Sequence, residues 1–210
     1  MNWIDAVLIV LLLVSVIIGS KKGLVRELTA FVVVFVAVIV SLSYIDQFAV
    51  WVHDQTGGSP LISAFLAFII LLAATYAAFK LLAMLFYKVA HIKQQGRKDQ
   101  MGGALVGFLR GWIAIGFLTF LVFLLPLPDS FYTSFENSFF GPTVAKTIPL
   151  MFDSTSALHK KTNFMGQMEK TLLVAPTKGE SKTVLDEQRV QAHRALYELE
   201  RFFTTSQSGV

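Results

Sequence analysis

The sequence predicts an all-α polytopic membrane protein, four transmembrane helices as two hairpins, followed by a partly helical C-terminal tail. Three observations predict it. The 210 residues are 54% hydrophobic and only 15% charged, whereas soluble domains carry about 25% charged residues. The charge deficit is confined to residues 1–128, which are dominated by Leu, Val, Ile, Phe and Ala. Lys and Arg then cluster in alternate gaps between the apolar runs, as membrane topology requires. The division follows directly: residues 1–128 form the membrane domain and residues 129–210 an extramembrane tail.

The first apolar run is Trp3–Ile18. It is the shortest, and its Asp5 lies near the end, where a carboxylate is expected to reach water. A cleaved signal peptide would need basic residues before the run. Here "MNWID" has none and the cations follow it, so the run is read as a span. The gap "GSKKGLVREL" supplies Lys21, Lys22 and Arg26, with Gly19 and Gly23 permitting a tight turn or a close helix approach. The second run, Leu28–Tyr44, reaches spanning length if it extends toward Val52. The gap at 45–60 holds no Lys or Arg. The third run is Leu61–Tyr87, and the gap at 88–103 carries Lys88, Lys93, Arg97 and Lys98. The fourth run, Ala104–Leu127, ends at Pro126 and Pro128, and the next basic residue is Lys146. All gaps agree on one orientation: the first and third are cytoplasmic and both termini lie outside. Trp3, Tyr44 and Trp51 then fall near the outer interface and Tyr87 near the inner one.

Net charge is +4 and the pI about 9.3. Nucleic-acid binding would need a basic stripe on a soluble surface, yet the tail balances nine Lys/Arg against nine Asp/Glu. The excess sits in the interspan gaps, so no nucleic acid is expected. Cysteine is absent, which removes disulfides and thiolate metal sites. The chain carries no nucleophile elbow, P-loop, zincin helix or dinucleotide fingerprint, and His53, His91, His159 and His193 lack metal-ligand spacing. No enzyme activity, metal or cofactor is expected.

Ionisable residues inside spans are functional candidates, because a central position is costly. Lys80 stands eight residues before Lys88, roughly 12 Å along the helix, and Arg110 six residues past Ala104, roughly 9 Å. Both side chains are long enough to snorkel to the headgroups. Alternatively, one of them pairs with Glu27, which opens the second span at similar depth, and locks the two hairpins together. Gly103, Gly107 and Gly111 recur every four residues on one helix face. Small residues at that spacing let backbones approach closely in lipid, so this face is read as a packing seam, within one chain or between chains. The segment "GLVRE" at 23–27 faintly echoes "GFLRG" at 107–111.

In the tail, residues 129–176 mix aromatics with Pro142, Pro149 and Pro176, and are expected to lie against the outer surface with one or two short helices. "TKGESK" at 177–182 reads as a hydrophilic linker. Near 184–204, Leu185, Ala192, Leu196, Leu199 and Phe203 share one helical stripe, with Asp186 and Glu187 early, where the dipole favours them. This amphipathic helix is expected to meet the bilayer, a partner or another copy of the chain.

The residues Trp3, Ile4, Asp5, then Gly23, Arg26, Glu27, then Asp99, Gly103, Ala104, Gly107, Arg110 and Gly111 resemble the pattern of the colicin V production protein (CvpA) family. The resemblance covers residues 1 to about 128 and leaves the last helix outside. It implies a bacterial inner-membrane protein of four spans with periplasmic termini, linked to colicin V production, a toxin biosynthetic process, and to envelope homeostasis. It implies no catalytic reaction or cofactor. The expected function is support of toxin production or export by helix packing and partner interaction. The expected partners are membrane lipids, with a homo-oligomer or other envelope proteins left open. The alternative is a small oligomeric transporter or channel with Lys80 and Arg110 on an anion path. The residues singled out are the helix-packing glycines Gly19, Gly23, Gly103, Gly107 and Gly111, and the charge cluster Arg26, Glu27, Asp99, Arg110 and Lys80.

Overall fold

A computed structural model describes residues 2–56, 59–90, 96–159, 163–173 and 182–204, without the side chains of 86–90, 158 and 182–185. The linker at 177–182 therefore lies almost wholly outside the described residues, as does the Leu185 side chain of the amphipathic stripe. Lys93 and the Lys88 and Tyr87 side chains are likewise outside them.

Four helices are long and apolar enough to cross a membrane: α1 (Trp3–Lys22), α2 (Leu24–Thr56), α3 (Pro60–Ala90) and α4 (Gly96–Phe123). They are longer than their apolar runs. A helix keeps its backbone hydrogen bonds when its side chains turn polar, so hydropathy marks the lipid-embedded part and not the helix end. The expected gap at 45–60 is mostly the continuation of α2, which runs 33 residues, about 50 Å at the usual rise. The fourth span likewise starts at Gly96, eight residues before its apolar run.

Asn2 caps α1, its side chain accepting from the Ile4 amide at 3.3 Å. Gly23 ends the helix at φ 80°, a left-handed conformation open chiefly to glycine, and its N–H bonds the Gly19 carbonyl at 3.1 Å. That single residue turns the chain into α2. The two hairpins then interleave. Although α1 and α2 are joined by one residue, α1 packs chiefly on α4, and α2 packs on both α3 and α4. The lateral order is α1–α4–α2–α3. One end of the bundle carries the Lys21–Arg26 turn and the start of α4, and is called the basic end below.

The opposite end is capped. Beyond Pro128 the chain forms α5 (Asp129–Glu136), α6 (Gly141–Ala145), α7 (Thr147–Ser154), α8 (Ser156–His159) and α9 (Phe164–Leu172), more than the one or two short helices expected. The segment α10 (Lys182–Phe203) returns over them. Its apolar stripe settles on the chain's own core: Ala192, Leu199 and Phe203 are buried and Leu196 packs alongside. A phenylalanine cluster joins spans to cap. Phe123, at the end of α4, meets Phe135 at 4.9 Å, Phe203 at 5.1 Å and Phe202 at 5.4 Å between ring centroids. Phe120, one turn earlier, meets Phe68 of α3 at 4.9 Å and Phe164 of α9 at 5.5 Å, both edge to face. Edge-to-face contacts place the positive ring edge on a negative face. On the surface, Arg194 and Arg201 of α10 pair with Asp129 and Glu136 of α5.

Candidate functional site

The expected packing face of α4 lies against α1 of the same chain. The two helices run antiparallel, and small residues meet in register. A Cβ added to Gly103 would strike the Gly19 carbonyl and stand 3.0 Å from Gly23 Cα. One added to Gly107 would stand 2.8 Å from the Ser15 carbonyl oxygen and 3.0 Å from Gly19 Cα. At Gly111 it would fall 2.6 Å from Ser15 Cβ. The α1 side of the seam is thus Ser15, Gly19 and Gly23, again four residues apart. Sequence reading passed over Ser15, although that spacing marked it. Its hydroxyl donates to the Gly107 carbonyl at 2.8 Å, a buried bond across the seam.

Close approach at the seam brings Arg110 to a three-helix node. From α4 its Nε reaches Glu27 Oε1 of α2 at 2.7 Å, and its Nη2 lies 3.5 Å from Ser15 Oγ of α1. Glu27 is fully buried, and Lys22 Nζ approaches its other oxygen at 3.8 Å. Neither Glu27 oxygen receives an aligned hydrogen bond among the described residues, so the attraction is Coulombic and is not a two-pronged fork. Of the two roles open to Arg110, the structure places it in the pair with Glu27. Lys80 is elsewhere: it stays exposed on α3, its ammonium 5.7 Å from the Tyr76 ring centroid.

Asp99 joins the same region from the first turn of α4. Its Oδ1 accepts from the Leu24 amide at 2.8 Å and so caps the N-terminus of α2 from another helix. The cluster named from sequence therefore divides. Glu27, Arg110 and Asp99 bind α4 to α2. Arg26 and Lys80 instead face an open groove between α1, α2 and α3, together with Lys22.

At the capped end, Asp5 does not reach water. It is buried within the first turn of α1. Ser138 Oγ donates to its Oδ1 at 2.6 Å, the Phe140 amide to Oδ1 at 3.0 Å and the Phe139 amide to Oδ2 at 3.1 Å. Ser138 Oγ in turn accepts from the Gly141 amide at 2.9 Å. The carboxylate thus organises the turn that opens α6. Asn2 adds a contact to the Ser134 carbonyl, and Trp112 Nε1 of α4 donates to Thr147 Oγ1 of α7 at 2.8 Å.

Four spans zipped by small residues, pinned by ions at one end and closed by a helical cap at the other, define a polytopic α-helical membrane protein. The family model described as Colicin V production protein matches residues 4–149, and the chain belongs to that family. The match runs beyond residue 128 into α7, so it takes in Asp5 and all three of its cap-side partners. Neither curated proteins nor solved structures gave a match.

Proposed function

We propose that this chain is a non-catalytic bacterial inner-membrane protein that supports toxin production or export and envelope homeostasis through helix packing and contacts with other envelope proteins. The observation that carries the reading is what Asp5, Glu27, Asp99 and Arg110 do. Each joins one helix to another element. In a transport path or active site such groups would face a substrate.

The basic end lies in the cytoplasm on this reading, because Lys and Arg in short loops stay inside, and the cap lies in the periplasm. Contacts with other proteins fall on the cap, where Phe139 is 80% and Leu150 59% exposed. The native chain has no cysteine, so single cysteines report cleanly. An impermeant maleimide applied to intact spheroplasts is expected to label Leu150→Cys and not Lys21→Cys. A photo-crosslinker at Phe139 or Leu150 is expected to capture envelope proteins in cells that produce colicin V. Labelling of Lys21→Cys alone, or crosslinks confined to lipid, would defeat the reading.

The second reading is a small oligomeric transporter or channel. Lys80 on an open groove favours it; Arg110, its expected companion, is turned to Glu27. Anion flux in proteoliposomes that disappears in Lys80→Ala would establish the transporter in place of the scaffold.

A further inference from the structure

The α1/α4 seam stops short of the cap. Gly103, Gly107 and Gly111 hold the two backbones together against Ser15, Gly19 and Gly23. Beyond them the apolar residues that α1 buries are Leu12, Leu8 and Ile4, all bulky. The next glycine of α4, Gly116, faces the Val144 carbonyl and Thr147 of the cap instead of α1. Large side chains at a contact set helix axes further apart. The two helices therefore part toward the cap, and a groove of about 290 Å³ opens between α1, α4 and α5. Trp3 and Phe131, with ring centroids 6.2 Å apart, stand at its cap end.

Below the Trp3 indole the lining is apolar except for Thr119 of α4, which is only 8% exposed. Elsewhere in the helices Thr29, Thr56 and Thr171 donate to the carbonyl four residues earlier. Among the described residues the Thr119 hydroxyl has no such bond and no other. A hydroxyl left unpaired against hydrocarbon is costly, so it calls for an acceptor that enters the groove. Buried water needs several polar partners, and the groove offers this one. No charged side chain lines it among the described residues, so an ionised ligand would lie there unpaired. Val7, Leu11 and Leu118 line the groove and remain exposed. It therefore opens sideways from two spans, where lipid surrounds them.

We propose that this groove seats one acyl chain of an ester-linked membrane lipid from the leaflet beside the cap, with the Thr119 hydroxyl donating to the ester carbonyl. An ester carbonyl is a neutral acceptor, and the chain beyond it is hydrocarbon, which matches one hydroxyl among apolar walls. Leu8, Leu11 and Ile115 meet the methylenes. Thr119 lies four residues before Phe123, the last residue of α4, about one helical turn from its end. It thus stands near the edge of the hydrocarbon, where the interfacial region of the bilayer begins. The bound chain fills the wedge that the seam leaves and braces α1 against α5. The site concerns the spans and does not depend on the scaffold role.

Native mass spectrometry of the full chain released from detergent micelles tests this with two phosphatidylglycerols of equal chain length, one ester-linked and one ether-linked. Only the first carries carbonyls. It is expected to be retained about fivefold more strongly, the effect of one neutral hydrogen bond. Thr119→Val keeps the shape without the hydroxyl and should bring the two lipids level. Leu11→Trp, which fills the groove, should abolish retention of both. Val10→Trp, on the same helix but outside the groove, should leave it unchanged. Unfolding temperatures without added lipid show that the variants fold. Equal retention of ester and ether lipids by the wild type, an ester preference that survives in Thr119→Val, or equal effects of Leu11→Trp and Val10→Trp would overturn the proposal. So would displacement of the lipid by a free fatty acid at equal concentration, which would make the acid the ligand. A lipid-free dimer that Leu11→Trp dissociates would also overturn it, with a second copy as the occupant.

Discussion

Glu27 Oε1 and Arg110 Nε lie 2.7 Å apart, joining the first turn of α2 to the middle of α4, with the carboxylate fully buried. The pair ties α4 to α2, while the small-residue seam sets α4 against α1. The ion pair also makes either partner costly to lose. Removing one half of a buried pair strands the other and costs about 3–5 kcal/mol, whereas replacing both is much milder. Glu27→Gln and Arg110→Met are each expected to destabilise the fold by that amount. The double variant should lose less than the sum. A double-mutant cycle from unfolding in mixed micelles reads the coupling directly, and additive losses would show that the two groups do not act on each other.

The α1/α4 seam makes a sharper demand on size. Even a methyl group on Gly19 meets the backbone carbonyl of Gly103, and on Gly107 it stands 2.8 Å from the Ser15 carbonyl. Backbone cannot swing aside as a side chain can. Gly19→Ala and Gly107→Ala should therefore cost about 1–3 kcal/mol from overpacking, although alanine favours the helix itself. Gly102→Ala is the control, because the nearest atoms to its new methyl belong to the Leu24 side chain, from 3.0 Å, and not to backbone. Gly107→Leu should separate α1 from α4 while membrane insertion persists. Wild-type stability in both Gly19→Ala and Gly107→Ala would mean that the helices are not in backbone contact.

Much of this arrangement is legible in the sequence. Hydropathy marked the four spans because a lipid-facing helix must be apolar nearly all round. The four-residue glycine period marked the face of α4 that packs. Which helix it would meet was not legible, since a small-residue face is complementary to any other small-residue face. Ser15 completes the partner face, but a lone serine in a run of Leu, Val and Ile gives no signal until Gly19 and Gly23 are set beside it. Asp5 was misplaced for a different reason. A carboxylate near a helix end is satisfied equally well by water or by backbone amides, and its donors at 138–140 are more than 130 residues away. The α10 stripe was visible as amphipathic, while its occupant, the phenylalanine cluster, depends on contacts between distant segments that periodicity does not report.

Asp5 should govern docking of the cap. It receives three hydrogen bonds from residues 138–140, and bonds to a charged group contribute about 1.5–3 kcal/mol each. Asp5→Asn keeps the shape but loses the charge, and turns an amide donor toward at least one backbone N–H. The expected result is local release of the turn before α6, read as faster proteolysis between α5 and α7 with the spans still protected. Ser138→Ala should do the same more weakly, since the two backbone donors remain. Unaltered cleavage in Asp5→Asn would show that the cap is held by its apolar contacts alone.

Tyr132, in α5, brings a pH limit to the cap. Burial above all, and then the nearby Glu198 carboxylate, raise its pKa above the ordinary 10.0. The folded state therefore resists ionisation that the unfolded chain accepts near pH 10. Its contribution is fully present below pH 10 and is lost as pH rises through the folded pKa. Absorbance at 295 nm should show one late-ionising tyrosine that Tyr132→Phe removes. The unfolding temperature of the variant should also fall less steeply above pH 10. An identical late phase in wild type and variant would assign the behaviour to another tyrosine.

The last expectation concerns α10, which lies outside the family match. Its Phe203 is fully buried and meets Phe120 at 6.0 Å and Phe123 at 5.1 Å, so it ties the end of α10 to the end of α4. Truncating a buried phenylalanine costs about 3–5 kcal/mol through lost transfer energy and the cavity left behind. Phe203→Ala should therefore detach α10 while the α1/α4 seam survives, because the seam rests on backbone contact far from the cap. Tyr197, on the same helix and 63% exposed, supplies the control, and its alanine variant should be nearly neutral. Hydrogen exchange resolves the two regions separately. Phe203→Ala should raise exchange across α10 and α9 with little change in α1 or in α4 before Phe120. Loss of protection throughout all four spans would instead make α10 part of the same cooperative unit as the bundle, and equal effects of Phe203→Ala and Tyr197→Ala would mean that α10 does not rest on the phenylalanine cluster.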